Sequence, residues 1–461
     1  MSGVLVIVGT GDEDAVARTR RSFAGASRPQ DALELGRWGE EFTRVGDQRR
    51  YLLGLGAGDE LEAGALEALE RFATDTGAGV VTADRIEQGV IRRCQRWSER
   101  LFEQFPYTGR ALLVRCDVYA AAMDAGLAEA STEWDAQLRL IDAADLVAHC
   151  PIIAVQQATP VVRGGVADRL DAVRAHLSRT GEPGKVLAGP LGMPLVRARD
   201  ASARVSLILP TAFACRQLSD GAERVLADVA VRAVRATTTA PDLELVLIAD
   251  SEADDDAIER CASAWNGIHE IVRTEGEFNY SHAVNAGVDA AHGDVVVLLN
   301  DDVEPLTEGW LDSLLGALGR PGVAAVGARL LFDDGRLQHI GIVCPPHDLP
   351  MHPRIFEPDD PLHPLAQADI EYAAVTGACL ATRRRDYLAV GGMDESLPLN
   401  FNDVDLCIRL GSLGASMCVN SVRLIHRESS TRTAVVSDAE RRAAERWQNH
   451  AVADPHIEYW G

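Results

Sequence analysis

The sequence predicts an α/β fold, and three observations support this class. Short apolar runs end in turns rich in glycine and aspartate, and a segment with helical periodicity follows each of them; the runs are 4–8, 52–55, 205–209, 243–248 and 295–299. The runs are continuously apolar, which is typical of parallel strands buried on both faces. Strands that alternate with helices indicate βαβ units. We therefore expect mostly parallel sheets that bind ligands at the carboxyl ends of their strands.

Length and charge limit the classes of protein to which this chain can belong. The chain has 461 residues, with 45 Lys and Arg against 69 Asp and Glu, for a net charge of −24. A nucleic-acid-binding protein needs a basic surface, so we expect no nucleic-acid partner. Apolar runs are shorter than the ~20 residues that cross a bilayer, and the start lacks the pattern of a secretory signal. Nine cysteines without a C-x-x-C pair are typical of reduced thiols. The expected location is cytoplasmic.

An internal repeat divides the chain. Three pairs of segments can be aligned: 51–69 with 296–314, 109–127 with 376–397, and 131–140 with 400–410. Each copy has the order of strand, turn and amphipathic helix that one α/β module needs. We place the boundaries as follows: a first α/β module at 1–165, a helical linker at 166–202, a second α/β module at 203–433 and a helical tail at 434–461.

The acidic turn Asn300, Asp301 and Asp302 directly follows the apolar run 295–299. Oxygen-bearing side chains at the carboxyl end of a central strand suit a hard divalent cation that bridges phosphate oxygens. A solvated acidic turn that merely closes a strand would have the same composition. The turn alone leaves both interpretations open.

The order of motifs in the second module resembles a known family. The motifs are VSLILPT (205–211), EFNYSHAVNAG (277–287), GDVVVLLNDDVEP (293–305), VGARLLFDDGRLQHIGIV (326–343), VTGACLATRR (375–384), VGGMDESL (390–397), FNDVDLCIRL (401–410) and LIHRESSTR (424–432). Together they resemble the family 2 glycosyltransferases of the GT-A fold, in particular the branch with bacterial rhamnosyltransferases. The resemblance implies a GT-A catalytic domain at 203–433, preceded by a degenerate GT-A-like module.

The resemblance also implies a metal site. Family members bind a nucleotide sugar whose diphosphate rests on Mn²⁺ or Mg²⁺. Asp302 matches the aspartate that ligates the metal, with Asn300 and Asp301 beside it, and His426 matches a histidine that completes the site; an imidazole suits Mn²⁺ better than Mg²⁺. The alternative for His426 is a hydrogen-bonded histidine at a strand end.

Two arginines flank that histidine. Guanidinium groups bind diphosphate oxygens in a forked geometry, so Arg427 and Arg432 are candidates to steady the donor. As arginines in a loop, both could equally be solvated.

Asp403 matches the catalytic base of the family. Transfer with inversion needs a carboxylate that takes the proton of the acceptor hydroxyl while its oxygen attacks the anomeric carbon. Asp403 and Asp405 are two positions apart at the start of a predicted helix, so we expect one to face the acceptor while the other caps the helix or pairs with an arginine. Both could instead serve only as acids at a helix start.

The remaining donor and acceptor contacts come from the resemblance alone. They are Pro210, Thr211, Asp250, Asn279, Asn285, Thr376, Gly377 and Ala378. Asp250 is expected to contact the base or ribose, although the family has its acid one place earlier, where this chain has Ala249. Asn279 or Ser281 is also suited to cap a helix, and glycine at 377 permits a close approach of the backbone to the sugar.

The first module lacks the acidic turn. Gly56-Ala57-Gly58-Asp59 stands where the second module has its carboxylates, Glu133 aligns with Asp403, and Gln156 stands near the position of His426. We expect a module without a metal that serves packing, acceptor positioning or oligomerisation.

The sequence is therefore interpreted as a metal-dependent inverting glycosyltransferase. The favoured donor is dTDP-rhamnose and the acceptor a glycan or polyprenyl-linked glycan in cell-envelope polysaccharide synthesis. The alternatives are UDP-galactofuranose or a UDP-hexose as donor, a non-catalytic scaffold, or a nucleotidyltransferase. Peripheral contact with the inner face of the cell membrane and formation of a homo-oligomer stay open as expectations.

Overall fold

The computed structural model describes residues 3–40, 49–93, 97–200, 202–218, 221–238, 242–345, 348–427, 436–438, 440–443 and 447. Two compact units divide the chain, the first ending at Leu195 and the second beginning at Val196. Arg432 and most of the predicted tail 434–461 lie outside the described residues.

The first unit alternates strands and helices. Its strands are β1 (Gly3–Val8), β2 (Ala32–Leu35), β3 (Arg49–Leu55), β4 (Glu60–Leu61), β5 (Val80–Glu87), β6 (Val90–Arg92), β7 (Leu113–Arg115), β8 (Val147–Gln157), β9 (Lys185–Ala188) and β10 (Pro194–Arg197). Its helices are α1 (Glu13–Ala26), α2 (Ala65–Thr76), α3 (Glu99–Phe102), α4 (Cys116–Asp124), α5 (Glu133–Asp142) and α6 (Val166–Thr180), with 3₁₀ turns at Leu127–Glu129 and Pro190–Gly192.

The second unit follows the same plan. Its strands are β11 (Val205–Thr211), β12 (Cys215–Gln217), β13 (Glu223–Val225), β14 (Leu243–Asp250), β15 (His269–Thr274), β16 (Val295–Leu299), β17 (Val303–Pro305), β18 (Val323–Leu331), β19 (Leu337–His339), β20 (Ile370–Tyr372), β21 (Cys379–Arg383) and β22 (Ala415–His426). Its helices are α7 (Leu226–Thr237), α8 (Asp255–Trp265), α9 (Tyr280–Ala290), α10 (Trp310–Leu318), α11 (Pro364–Gln367), α12 (Arg384–Ala389) and α13 (Asn402–Leu410).

The two main sheets have the same topology. The first has the strand order β2-β1-β3-β7-β5-β8-β4, and the second has β14-β11-β16-β21-β18-β22-β17 with β15 added beside β14. Strand directions also correspond, because β7 and β21 each run antiparallel to both of their neighbours. The α/β class predicted from the sequence is confirmed. Both sheets are mixed rather than mostly parallel, because β7, β21 and several edge strands pair antiparallel with their neighbours. Both copies of the repeat therefore have the same strand order.

The core of the second unit explains why its central strands are continuously apolar. β11 pairs with β14 and β16 in parallel, and all seven residues of β11 are buried. Helices α7 and α10 pack large apolar side chains such as Trp310 and Leu314 against this sheet, and both side chains are fully buried. Polar groups are left to the strand ends, so the carboxyl ends of β11, β14 and β16 form one polar edge.

Residues 166–195 differ from the predicted linker, because they belong to the first unit. Helix α6 buries His176 completely, and His176 Nδ1 lies 2.5 Å from Asp142 Oδ1 on α5. β9 and β10 then pair in a two-stranded sheet. A buried histidine with a carboxylate partner packs a helix onto its module, whereas composition alone suggested a connecting segment.

Among the described helices, none combines the length and the apolar character needed to cross a bilayer.

Candidate active site

The turn 300–302 lies at the carboxyl end of β16. This strand has five buried apolar residues and pairs with a strand on each side, so its backbone is fixed. Asn300 N donates to Ala378 O at 3.1 Å, and Val303 N donates to Asn300 O at 3.3 Å, which closes the turn. The fold therefore presents the acidic turn at the edge where α/β sheets bind ligands.

Asp302 and His426 meet across this turn. β17 runs antiparallel to β22 with Val303 opposite His426, which brings the last residue of β22 beside the turn. His426 Nε2 lies 3.1 Å from Asp302 Oδ1. Asp302 is 8% exposed, and among the described residues its Oδ1 has no hydrogen-bond partner. A buried carboxylate oxygen without a hydrogen bond is costly unless something binds it.

Gln338 orients the imidazole of His426. Its Oε1 lies 2.8 Å from His426 Nδ1, and its Nε2 lies 3.5 Å from the carbonyl oxygen of the same residue. Because an amide oxygen only accepts, Nδ1 of the neutral ring carries the proton and Nε2 offers a lone pair toward Asp302. Gln338 was missed as a site residue by sequence reasoning, although it lies inside the quoted segment 326–343.

Asp302 and His426 supply a small donor set. Among the described residues, no group of three or more His, Cys, Asp or Glu side chains is arranged to hold a metal ion. The pair offers one carboxylate oxygen and one imidazole nitrogen, a mixture that suits Mn²⁺ or Zn²⁺ better than Mg²⁺. An ion held by this pair would need its other ligands from a substrate and from water.

Asp403 and His426 line the same cavity. Gly377 N donates to Asp403 Oδ2 at 2.9 Å, which fixes the carboxylate against the segment 376–378. Asp405 points elsewhere, because Arg409 Nε donates to its Oδ2 at 2.7 Å. This is the division between the two acids that their spacing predicts.

Tyr280 connects the two sides of the cavity. Its Oη lies 3.0 Å from Asn300 Oδ1 and 3.1 Å from Gly377 O. One hydroxyl proton can be donated to either oxygen, so Tyr280 links the acidic turn with the segment that holds Asp403. Sequence reasoning did not single it out. The sequence signal that could have identified it was its position in the motif 277–287, at the start of α9.

The cavity between these groups has a volume of about 260 Å³ and is lined by Asn300, Thr376, Gly377, Ala378, Asp403 and His426, with Tyr280, Gln338, His339 and His352 among the others. His339 Nδ1 lies 2.8 Å from His352 Nδ1, so one of these nitrogens carries the proton that they share. Complete burial, together with the nearby imidazoles of His352 and His426, lowers the pKa of His339 well below its usual value. His339 is therefore a neutral member of the cavity wall.

Three other predicted residues lie at neighbouring strand ends. Thr211 Oγ1 donates to Asp301 Oδ2 at 2.6 Å, directly after Pro210 at the end of β11. Asp250 ends β14 and is exposed, and its Oδ1 accepts from Glu252 N at 2.8 Å. The polar edge of the sheet therefore carries all three, although their contact with a nucleotide stays a prediction.

Asn279 and Asn285 are engaged within the protein. Asn279 caps α9, with its Oδ1 accepting from His282 N at 3.0 Å. Asn285 Oδ1 accepts from Met393 N at 2.9 Å, and its Nδ2 donates to Met393 O at 2.9 Å. The structure does not bring these two residues into the cavity. They hold α9 to the segment 393–397, and a donor contact from either is only a prediction.

Arg427 is also engaged elsewhere. Its Nε donates to Glu304 Oε1 at 2.5 Å, and its Nη1 donates to Asp333 Oδ1. Arg427 is buried, so the expectation of a solvated loop arginine does not fit the structure. Both carboxylates compete with a diphosphate for its guanidinium. The diphosphate role predicted for Arg432 falls on a residue outside the described ones.

The cysteines of this region are core residues. Cys379 on β21 and Cys407 on α13 are buried. Burial raises the pKa of both thiols to about 12. A thiol that stays protonated is a poor nucleophile, which agrees with the core role expected from the sequence.

Comparison with known proteins gives a family for this arrangement. Residues 221–342, which include β16 and the acidic turn, match the family described as Glycosyl transferase family 2. An O-antigen biosynthesis protein, RfbC, of Myxococcus xanthus is 29% identical over 78% of this chain and 28% of its own length. An uncharacterized protein, y4gI, of Sinorhizobium fredii is 31% identical over 62% of this chain and 32% of its own length.

A third relative is shorter. The N-acetylglucosaminyl-diphospho-decaprenol L-rhamnosyltransferase of Mycobacterium tuberculosis is 27% identical over 40% of this chain and 66% of its own length. The chain spans about a third or less of the other two relatives (32% and 28%). The family match lies wholly within the second unit. Residues 221–342 of the second unit therefore match the family 2 glycosyltransferases.

Proposed function

We propose that this protein is a metal-dependent inverting glycosyltransferase that moves a sugar from a nucleotide-sugar donor to a glycan or lipid-linked acceptor in polysaccharide synthesis. The carrying observation is that His426, whose Nε2 lies 3.1 Å from Oδ1 of the buried Asp302, lines the same cavity as Asp403. A cation site and a carboxylate base across one cavity are the two parts that this transfer needs.

The metal side has a physical rationale. With the proton of His426 held at Nδ1 by Gln338, Nε2 and Asp302 Oδ1 are two acceptors at close distance, which favours a cation between them. Bound Mn²⁺ or Mg²⁺ would act as a Lewis acid on the diphosphate leaving group. Asp302 and His426 would hold the ion, and Gln338 would keep the imidazole in the binding tautomer.

The acceptor side is built around Asp403. Both of its oxygens are oriented by backbone donors, Oδ2 by Gly377 N at 2.9 Å and Oδ1 by Val404 N at 2.8 Å. Each oxygen keeps a further lone pair for a hydroxyl in the cavity. Asp403 would take the proton of the acceptor hydroxyl as that oxygen attacks the anomeric carbon and the bond to the diphosphate breaks.

Rhamnose from dTDP-rhamnose is the donor we favour. Its support is the similarity to the mycobacterial protein named as an L-rhamnosyltransferase. UDP-galactofuranose and UDP-hexoses fit the same chemistry, because the metal and the base act on parts that all nucleotide sugars share. The acceptor is proposed from the names of that relative and of the O-antigen biosynthesis protein.

Donor turnover tests the proposal. The full chain is incubated with dTDP-rhamnose, UDP-galactofuranose or UDP-glucose, with and without Mn²⁺, and nucleoside diphosphate and free sugar are measured. We expect release from one donor that requires the metal and is lost in Asp302→Ala. Asp294→Asn, an exposed acid at the amino end of β16, is the control and should keep full turnover. Pyrophosphate as product would indicate nucleotidyl transfer, and no product from any donor would indicate a scaffold.

A further inference from the structure

The first unit contains a cavity of about 710 Å³ that the proposed transfer does not use. It lies at the carboxyl ends of β1 and β3, the strands that correspond to β11 and β16 in the sheet order. Gly9, Gly11, Gly54 and Gly56 line much of it. Glycine walls leave backbone and neighbouring side chains close to whatever enters.

A buried arginine forms one side of this cavity. Arg110 is 7% exposed, with its Nη1 3.2 Å from Asp59 Oδ2 and its Nη2 3.2 Å from Glu133 Oε2. A Cβ atom added at Gly56 would lie 2.1 Å from Arg110 Nη1, so the guanidinium fills the space that a side chain of the turn would need. The arginine therefore takes the volume that a side chain at the first position of the turn would occupy.

The charges around the cavity disfavour an anionic ligand. One guanidinium faces the two carboxylates of Asp59 and Glu133. At the mouth, Arg37 Nε lies 3.5 Å from Glu40 Oε1, and Asp12 adds another carboxylate to the lining. The lining as a whole has more acids than bases, and its buried cation is already paired. A diphosphate would meet no net positive charge here.

An indole forms a further wall. A Cβ at Gly54 would lie 2.4 Å from Trp38 Cζ2, so only a glycine at this position of β3 lets the indole lie against the strand. The ring centroid of Trp38 is 5.9 Å from that of Tyr119, which supports the indole from another side. Hydroxyl groups of Thr10, Ser131 and Thr132 also line the cavity. An aromatic face with hydroxyl and carboxylate groups around it suits a ring that has apolar C–H faces and polar edges.

We propose that this cavity binds a neutral saccharide without a metal ion. The indole of Trp38 packs on a sugar ring, while the polar groups of the lining accept and donate hydrogen bonds to its hydroxyls. A free nucleoside diphosphate is excluded by charge. The binding does not depend on transfer in the second unit, although a glycan acceptor would be a fitting source of the sugar.

Titration calorimetry with the full chain tests the proposal. The probes are neutral trisaccharides of rhamnose, galactose or glucose, together with UDP in the absence of metal. We expect at least one trisaccharide to bind with a Kd on the order of 1 mM or tighter. UDP should not displace it. No binding by any of the three, or displacement by UDP, would overturn the proposal.

Variants locate the binding. Thr10 is exposed and lines the cavity, so Thr10→Trp should fill the cavity without disturbing the fold and weaken binding about tenfold or more. Thr76→Trp places the same side chain at an exposed end of α2 outside the cavity and should bind as the unmodified chain does. Trp38→Ala should also weaken binding. Equal affinity in Thr10→Trp and Thr76→Trp would place the saccharide elsewhere and refute this site, whatever the transfer assays give.

Discussion

Corresponding turns in the two units have the same backbone hydrogen bond but different side chains. In the second unit the turn 300–302 closes with Val303 N donating to Asn300 O at 3.3 Å, and in the first the turn 56–58 closes with Asp59 N donating to Gly56 O at 3.1 Å. One turn carries an amide and two carboxylates, whereas the other carries only glycine and alanine. The backbone hydrogen bond of the turn is therefore shared by both units, but the side chains that could ligate a cation are not.

The helix starts show the same contrast. Arg139 pairs with Asp135 on α5 as Arg409 pairs with Asp405 on α13, so Glu133 corresponds to Asp403. Asp403 accepts only backbone hydrogen bonds within the described residues, whereas Glu133 is held by Arg110. We infer that a buried arginine has taken the place of the metal site in the first unit. In the first unit an internal ion pair thus engages the carboxylate that corresponds to Asp403.

Substitution of the corresponding acids Asp403 and Glu133 should give the largest difference between the two units. Asp403→Asn removes the proposed base, so we expect the turnover number for transfer to fall by about 10²–10⁴-fold. Nucleoside diphosphate affinity should be unchanged, since the carboxylate acts on the acceptor. The measurement is steady-state transfer together with calorimetric binding of the nucleotide.

Glu133→Gln is the matched change in the first unit and should leave the rate of transfer unaltered. A loss of transfer in Glu133→Gln as large as that in Asp403→Asn would show that the first unit also takes part in the chemistry.

Removal of the buried arginine should lower the stability of the first unit. Arg110→Met leaves Asp59 and Glu133 without their buried cation, which is expected to cost about 3–5 kcal/mol. Denaturant unfolding followed by hydrogen exchange in α5 and β3 would measure this. Arg21→Met, on the exposed face of α1, is the control. Unchanged protection in Arg110→Met would contradict the structural role of this ion pair.

A substitution at Gln338 tests whether this residue orients His426 for metal binding. Gln338→Leu removes the acceptor of the His426 Nδ1 proton, so we expect Mn²⁺ affinity in the presence of UDP to fall about 10–100-fold. Electron paramagnetic resonance of free Mn²⁺ gives this affinity without any turnover. Gln338→Glu keeps an oxygen acceptor at the same place and should bind more tightly than the leucine variant. Equal affinity of both variants and the unmodified chain would exclude the orienting role.

The smallest expected effect concerns pH and the first unit alone. Burial by itself would lower the pKa of His176, but hydrogen bonds to Asp142 and Glu103 outweigh it and raise that pKa to about 10. The stabilisation by protonated His176 is therefore complete below its unfolded pKa near 6.5 and is lost as the pH rises through about 10. Hydrogen exchange in α6 should increase over this range, after correction for the intrinsic rate. In His176→Gln the corrected exchange should depend less on pH; an identical pH profile would contradict the assignment.

Local sequence patterns were sufficient to predict the secondary-structure elements and the strand ends at which chemistry could occur. Continuous apolar runs and helical periodicity are local signals, so the central strands and the acidic turn after β16 could be predicted from a few neighbouring residues. The opposite directions of Asp403 and Asp405 follow likewise from helix geometry. The glycines at 56 and 58 predict a first module without the metal ligands expected in the second, and this stays a prediction.

The contacts of those residues could be identified only from the three-dimensional fold. Gln338 lies 88 positions from His426, Tyr280 lies 97 positions from Gly377, and Arg110 lies 51 positions from Asp59. Such pairs depend on the register between strands and on the burial of both groups. Neither the register nor the burial can be recognised from the periodicity of the sequence. For the same reason Arg427, next to His426 in the chain, turned out to bind Glu304 and Asp333. Local periodicity determines the position of a side chain on its helix or strand, whereas long-range packing determines which residues it contacts.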